Sequence, residues 1–312
     1  MIKFTQKKQT ISFLVKILLF LAVIWLFYNQ VNKIDWSNIN DLNIEQPIFF
    51  AITILLVFIN WFFEYLKWDE VLKVSESKVS LKIRIKSFLA GIVTGFLTPN
   101  MLGNFIGRMF YFQRRERVPI ILLTLFSNAA QFIASIAFGF IALIWLGTPK
   151  IIAFENSDFY LALLAPILVL LIWAFMRFEK IKLGFITRMK IYQRSIPLLQ
   201  HAKAFRFKLM VFSLLRHGIF SLQYWLLLKA FGLEISWEWF GWIWQVFFWS
   251  TLIPSLWFGK LFIRESMALL ILAPLTTEPS VILFASLILW VINQIVPALV
   301  GIPFITKKQS AA

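Results

Sequence analysis

The chain has 312 residues, of which 60% are hydrophobic, whereas ordinary soluble domains contain about 45 to 50% apolar residues. Together with a mean hydropathy of +0.79, this composition excludes a soluble globular domain and indicates a polytopic membrane protein. The net charge of +16 favours the lysine and arginine excess of cytoplasmic loops over nucleic-acid binding, because the chain is so apolar. The absence of cysteine excludes disulfides and thiolate metal ligands.

Uninterrupted apolar runs, each about as long as the roughly 20 residues that cross a bilayer, predict six full spans. Their approximate limits are 11–30, 47–66, 119–146, 159–177, 208–231 and 280–304. The first run follows three lysines, as a signal peptide does, but it is too long and lacks a small-residue cleavage site. We therefore expect an uncleaved first span.

Two further apolar regions, 86–112 and 239–274, are each interrupted by a proline, Pro99 in the first and Pro254 in the second. Proline removes a backbone donor and breaks a helix. At membrane depth, the freed backbone groups are tolerated only against protein or a water-filled cavity. Neither arm of the first region is long enough to cross a bilayer, which predicts a re-entrant helical hairpin. The second region has a longer leading arm, and its sequence fits either a hairpin or two spans.

The basic residues test this topology, because lysine and arginine of short loops stay on the cytoplasmic side. We place the N-terminus inside and let each broken region return to its starting side. The inside segments then hold 24 of the 31 Lys and Arg residues, including the cytoplasmic loop from Lys67 to Lys86. The outside loops hold only Lys33, Lys150 and Lys229. The sequence therefore predicts a multi-pass membrane protein with both termini cytoplasmic.

The broken regions occupy matching places in two halves, 1–150 and 151–312, of one membrane domain. Each half has three spans and one hairpin, and because three is odd, the second half starts from the opposite side. Interrupted segments at matching positions of inverted halves are typical of transporter binding sites. We predict an all-α polytopic membrane protein with about six full transmembrane helices plus two re-entrant broken helical hairpins in an inverted-topology repeat.

The residues around the two breaks are candidates for binding an anionic substrate. A charge near the bilayer centre costs at least about 2.5 to 3.5 kcal/mol, so a retained arginine usually faces a cavity or a partner. The planar guanidinium suits a phosphate group. Alternatively, Arg108 snorkels to the inner surface and Arg264 only pairs with Glu265. The candidate substrate-binding residues are Pro99, Asn100, Gly103, Asn104 and Arg108 at the first break, Pro254, Gly259, Arg264 and Glu265 at the second, and Glu64 in the second span.

Other polar side chains lie within the predicted spans. Membrane helices use such groups for interhelical hydrogen bonds, and we interpret the amides in this way, whereas Glu64 is open between a structural role and substrate contact. Two histidines without cysteine or clustered carboxylates predict no metal site, and no cofactor motif is present. The polar residues are Asn60, Glu64, Asn128, Gln131, Arg216, His217, Gln223, Gln245 and Gln294.

The longest polar segment, 179–207, is basic and interspersed with apolar residues. It fits an amphipathic helix on anionic lipid, since basic segments are attracted to the cytoplasmic leaflet. It fits a solvated cytoplasmic loop equally well.

The first break resembles a motif of a known family. The sequence TPNMLGNFIGR contains Pro99, Gly103 and Arg108 and is similar to the Pro-x-x-x-Gly-x-x-x-x-Arg turn of the flippase-like family known as the lysylphosphatidylglycerol synthase transmembrane region. The resemblance extends over roughly residues 11–305.

The second break is similar to the same family's glycine-rich stretch that ends in Gly-Val-Arg-Glu. Gly259, Arg264 and Glu265 carry this similarity. The chain departs from the pattern at Lys260 and Phe262, which stand where glycine is usual.

The resemblance implies movement of a lipid between leaflets. In the best-known members, this region precedes a soluble aminoacyltransferase that attaches lysine to phosphatidylglycerol. The present sequence ends at Ala312 without such a domain, so we expect a transporter and not an enzyme.

We therefore predict a lipid flippase or scramblase of the bacterial cytoplasmic (inner) membrane, acting on a phospholipid or an isoprenoid-phosphate-linked lipid. Arg108 and Arg264 would hold the phosphate in a midplane cavity. The predicted partner is an anionic phospholipid or isoprenoid phosphate, with no nucleic acid, metal or cofactor. The alternatives are an integral-membrane enzyme acting on lipid-linked substrates and a non-transporting membrane protein that recruits a partner through residues 179–207.

Overall fold

The computed structural model describes residues 21, 24–25, 27–34, 43–98, 103–114, 116–149, 157–178, 203–253 and 259–305, without the side chains of 157–164, 259 and 260. Three predicted site residues, Pro99, Asn100 and Pro254, lie outside the described residues. Most of the first predicted span and most of the basic segment also lie outside them.

The described ranges contain helices and no β-strand, which confirms the predicted all-α class. The principal helices are α1 (Pro47–Val74), α2 (Leu81–Phe96), α3 (Asn104–Met109), α4 (Arg117–Leu146), α5 (Ser157–Met176), α6 (Lys203–Ala230), α7 (Trp239–Leu252), α8 (Gly259–Leu272), α9 (Pro279–Trp290) and α10 (Val296–Gly301).

Residues with special backbone properties mark several helix ends. Pro47 and Pro279 stand in the first turns of α1 and α9, where the missing N–H would have no intrahelical partner. Gly147, directly after α4, has a φ angle of 72°, and Gly232, two residues after the end of α6, has a φ angle of 88°. Glycine adopts positive φ angles without steric cost.

Four helical segments are long and apolar enough to cross a membrane: α1, α4, α6 and the continuous stretch Pro279–Phe304. The last comprises α9, a π-helical turn at Val291–Ile295, α10 and a short 3-10 turn. These helices coincide with four of the predicted spans and confirm a polytopic membrane protein. α1 continues two turns beyond the predicted end of its span, to Val74.

Each broken region contains two separate helices, α2 with α3 in the first and α7 with α8 in the second. The first pair is antiparallel, because the N–H of Gly107 donates to Thr94 Oγ1 at 3.0 Å and that of Gly103 to Thr98 Oγ1 at 2.7 Å. The helices touch directly: a Cβ at Gly107 would collide with the backbone of Ala90. Glycine therefore permits this close approach.

Two large apolar cores share helix α6. One contains Trp68 and Leu209 with parts of α1, α2 and α4, and the other contains Tyr224 with parts of α7, α8 and α9. Between Leu209 and Tyr224, α6 carries Arg216 and His217. The fold thus places charged and polar groups where the two cores meet.

Candidate polar cavity

A cavity of about 630 Å³ lies between α1, the two broken regions, α4, α6 and the π-helical turn. This volume falls within the range of small-ligand sites, roughly 300 to 1,000 Å³. Arg108 and Arg264, one from each broken region, both line it. Its polar lining residues include Asn60, Glu64, Lys67, Asn104, Arg108, Asn128, Gln131, Arg216, His217, Arg264, Asn293 and Gln294.

Glu64 is the centre of the largest charge cluster in the cavity wall. Its Oε2 lies 2.6 Å from Arg216 Nη1 and 3.4 Å from Lys67 Nζ. Its Oε1 lies 3.4 Å from Arg108 Nη2. One carboxylate thus faces three cations from three helices.

Helix α1 brings Glu64 and Lys67 together because residues three apart share a helix face. Asn60 lies one turn earlier on that face. Lys67 is 1% exposed and also donates to Gln131 Oε1 at 3.4 Å. The lysine is therefore part of the cavity wall, whereas the sequence analysis counted it among cytoplasmic loop residues.

Arg108 reaches the cluster by crossing its partner helix at a glycine. A Cβ at Gly91 would lie 2.6 Å from Arg108 Nε and 2.7 Å from its Cγ. The guanidinium carbon lies 4.6 Å from the centre of the Trp68 ring, a cation–π arrangement. Because Arg108 is 2% exposed and paired, it does not snorkel to a membrane surface.

Arg216 connects the charge cluster to a chain of buried amides. Its Nε donates to Asn60 Oδ1 at 3.0 Å, and Asn60 Nδ2 donates to Asn293 Oδ1 at 2.7 Å. Asn293 belongs to the π-helical turn, and its Nδ2 donates to Gln223 Oε1 at 3.2 Å. The chain links the first and last membrane helices of the described bundle. It confirms the interpretation of these amides as interhelical hydrogen-bonding groups.

The residues after the first break have structural contacts. Asn104 exchanges hydrogen bonds with Asn128 at 3.0 and 3.3 Å, and both amides line the cavity. Gly103 supports the turn through its N–H bond to Thr98. Asn104 is thus placed at the cavity, and Gly103 holds the hairpin together.

Arg264 has a different environment from Arg108. Its Nη2 donates to the Glu265 carboxylate and, at 2.9 Å, to the carbonyl oxygen of Ser286. Glu265 is buried with it. The pairing with Glu265, which the sequence analysis considered as an alternative, therefore occurs, although Arg264 also lines the cavity. Gly259 forms the first residue of α8.

His217 adds a hydrogen-bonding group to the wall. Its Nδ1 lies 3.2 Å from Ser135 Oγ, and its ring stacks on Phe138 with centroids 4.7 Å apart. Its Nε2 is buried and has no hydrogen-bond partner among the described residues. Buried polar atoms are normally paired, so Nε2 is a point at which a bound molecule would be stabilised.

A smaller apolar groove of about 290 Å³ adjoins the polar cavity. Trp61 and Phe88 line both. On its far side, Phe58 and Leu81 are more than half exposed at the outer surface of the bundle. A polar interior and an apolar exterior groove therefore share one wall.

Two cationic residues of this site were not selected from the sequence. Lys67 was assigned to a loop, although its spacing of three from Glu64 was a usable signal. Arg216 was grouped with the other polar residues of the spans, although an arginine within an apolar run is itself a signal for a cavity or partner. Both contact Glu64 in the structure.

The fold and cavity define an all-α, multi-pass membrane protein with a cation-rich polar interior. The chain belongs to the lysylphosphatidylglycerol synthase TM region family, whose pattern it matches over residues 13–301. This match confirms the resemblance drawn from the two broken regions. The family is associated with membrane lipids, so the protein belongs to a group involved in lipid handling. No curated protein and no solved structure matches the chain.

Proposed function

We propose that the protein is a flippase- or scramblase-like transporter that moves an anionic phospholipid or isoprenoid-phosphate-linked lipid between the leaflets of the bacterial cytoplasmic membrane. The observation that carries this proposal is the cation-rich cavity enclosed by apolar helices. Burying charge inside a membrane protein is costly, and such charges mark substrate or ion pathways. The proposed activity is transport and not chemical conversion of the lipid.

The cavity wall offers the groups that a lipid phosphate needs. Arg108 and Arg264 come from the two broken regions and line one cavity. Guanidinium groups form strong, charge-assisted hydrogen bonds with phosphate oxygens. The phosphate would therefore bind between the halves of the protein, as substrates do in transporters with interrupted helices.

The apolar groove suits the hydrocarbon part of the same molecule. It shares Trp61 and Phe88 with the polar cavity and opens at the outer surface. A headgroup in the cavity could thus remain attached to a chain lying in the groove or in surrounding lipid. This arrangement removes the main barrier to lipid crossing, which is exposure of a charged headgroup to hydrocarbon.

We further propose that α2–α3 and α7–α8 are re-entrant hairpins of an inverted repeat that enter from opposite faces. The second helix of each pair carries one arginine of the cavity wall, Arg108 in α3 and Arg264 in α8. Rocking of one half against the other would then expose the cavity to each side in turn.

Leaflet-specific assays in proteoliposomes test the proposal. A fluorescent anionic lipid is added, and its appearance in the second leaflet is followed by a quencher that does not cross the membrane. We expect Arg108→Gln and Arg264→Gln to slow translocation by roughly 10- to 100-fold, because charge-assisted hydrogen bonds contribute about 1.5 to 3 kcal/mol.

Lys208→Gln is the matched control, because Lys208 is also a cationic membrane-helix residue but is 48% exposed and pairs at the surface with Glu70. Its translocation rate should equal that of the wild type. Wild-type rates in both folded arginine variants would refute the proposal.

A further inference from the structure

The charges around the cavity do not balance. Within the part of the chain that the structure describes, four cationic side chains line it: Lys67, Arg108, Arg216 and Arg264. Among the described residues, the carboxylates that contact them are Glu64 and Glu265. Four positive charges against two negative charges leave an excess of two positive charges.

The excess is concentrated on one side of the cavity. Arg264 has its own carboxylate in Glu265, so this pair is neutral. Lys67, Arg108 and Arg216 share the single carboxylate of Glu64. The two unbalanced charges therefore belong to the Glu64 cluster.

Water cannot easily compensate for this imbalance at the deepest residues. Lys67 and Arg108 are 1% and 2% exposed, and buried charges without a counter-charge are strongly destabilising. Because their positions are fixed by α1 and by the Gly91 crossing, the cations cannot separate without moving a helix. A ligand that supplies two negative charges would restore neutrality.

Phosphate chemistry distinguishes the available headgroups. A phosphodiester, as in phosphatidylglycerol, carries one negative charge, and a zwitterionic headgroup carries none overall. A phosphate monoester carries about 1.5 to 2 negative charges at pH 7 and presents three terminal oxygens. A pyrophosphate ester carries at least as much charge. Three terminal oxygens also match the number of cations in the Glu64 cluster.

Building on the proposed function, we propose that the cavity selects lipids with a dianionic headgroup, a phosphate monoester or pyrophosphate, over singly charged phosphodiester lipids. The terminal phosphate binds at Lys67, Arg108 and Arg216. Arg264 still donates to the headgroup, but because Glu265 balances its charge, it does not contribute to the choice between singly and doubly charged headgroups.

Competition binding with the purified full-length protein tests this selectivity. The protein is placed in nanodiscs of phosphatidylcholine, and phosphatidic acid, an isoprenyl pyrophosphate or phosphatidylglycerol is added at pH 7. We expect the first two lipids to bind at least tenfold more tightly than phosphatidylglycerol. Inorganic phosphate and pyrophosphate form a separate arm and should bind at least tenfold more weakly than their lipid-linked counterparts.

Removing one excess charge should reduce the preference. Arg216→Gln leaves one unbalanced positive charge, and we expect the ratio of phosphatidic acid to phosphatidylglycerol affinity to fall by about tenfold. Lys67→Gln makes the same charge change and serves if the first variant does not fold. Lys208→Gln, on the surface of the same helix as Arg216, should retain the wild-type ratio.

The outcomes separate this inference from the proposed function. Equal affinity for phosphatidylglycerol and phosphatidic acid, with Arg108→Gln still slowing translocation, overturns dianion selectivity and leaves the transporter. Equally tight binding of free pyrophosphate overturns the lipid assignment of the site. If no anionic lipid binds and the arginine variants translocate lipid normally, both proposals fail.

Discussion

Replacing Gly107 with alanine tests whether the contact between α2 and α3 holds Arg108 in the cavity. The added Cβ would collide with the backbone carbonyl of Ala90 and lie 2.7 Å from Thr94 Oγ1. Ordinary carbon contacts lie near 3.5 to 4.0 Å. Since backbone atoms cannot rotate out of the way, α3 must move away from α2 by roughly 1 Å.

This displacement has two expected consequences. Overpacking of this kind typically costs about 1 to 3 kcal/mol, which lowers the thermal unfolding midpoint of a chain of this size by roughly 2 to 10 °C. Arg108 follows Gly107 directly on α3 and lies 3.4 Å from Glu64. A shift of about 1 Å would therefore break this ion pair and weaken lipid binding.

The chain offers a matched control for the same substitution. Gly218 lies within α6, and a Cβ there would meet no atom within 4 Å. Gly218→Ala should leave lipid binding unchanged and stabilise the protein by about 0.5 to 1 kcal/mol, because alanine is favoured over glycine in helices. Thermal unfolding in detergent and lipid binding are measured for both variants. If Gly107→Ala behaves like Gly218→Ala in both assays, the hairpin contact does not position Arg108.

Other parts of the structure give further expectations. Asn293→Ala leaves the buried Nδ2 of Asn60 without its acceptor and should cost about 1 to 3 kcal/mol; an unchanged melting temperature would contradict the role of the amide chain. Gly139→Val should destabilise the protein at the contact of α4 with α7, because even a Cβ at Gly139 collides with Phe248. A decrease in the free energy of unfolding of less than about 1 kcal/mol would contradict this close contact. Lys208→Gln removes a partly exposed ion pair and should change the free energy of unfolding by less than about 1 kcal/mol.

The positions of the helices were predictable from the sequence because hydropathy and proline act locally. Apolar runs located α1, α4, α6 and the last helical stretch, and α4 and the last stretch agree with the prediction to within two residues at each end. The breaks expected near Pro99 and Pro254 occur between α2 and α3 and between α7 and α8. The end of α1 was wrong by about two turns, since a polar, charged sequence can continue a helix beyond an apolar run.

The candidate site was only partly predictable. Four of the described candidates line the cavity: Glu64, Asn104, Arg108 and Arg264. Of the other described candidates, Gly103 and Glu265 do not, and Gly259 begins α8. The pairing of Arg264 with Glu265 was one of the alternatives, whereas the contact of Arg108 with Glu64 was not foreseen. A sequence identifies which charged side chains lie in membrane-spanning segments, where burying a charge costs free energy. It does not identify the partner that neutralises each charge.

The sequence by itself determined that this chain is a helical membrane protein of its family, and where its helices are interrupted. Only the tertiary structure decided that Glu64 faces Lys67, Arg108 and Arg216. Arg216 lies 152 residues from Glu64 along the chain, and their contact depends on the packing of α1 against α6. Charge balance inside the cavity is therefore a property of the packed helices, because it depends on distances that no local pattern of residues specifies.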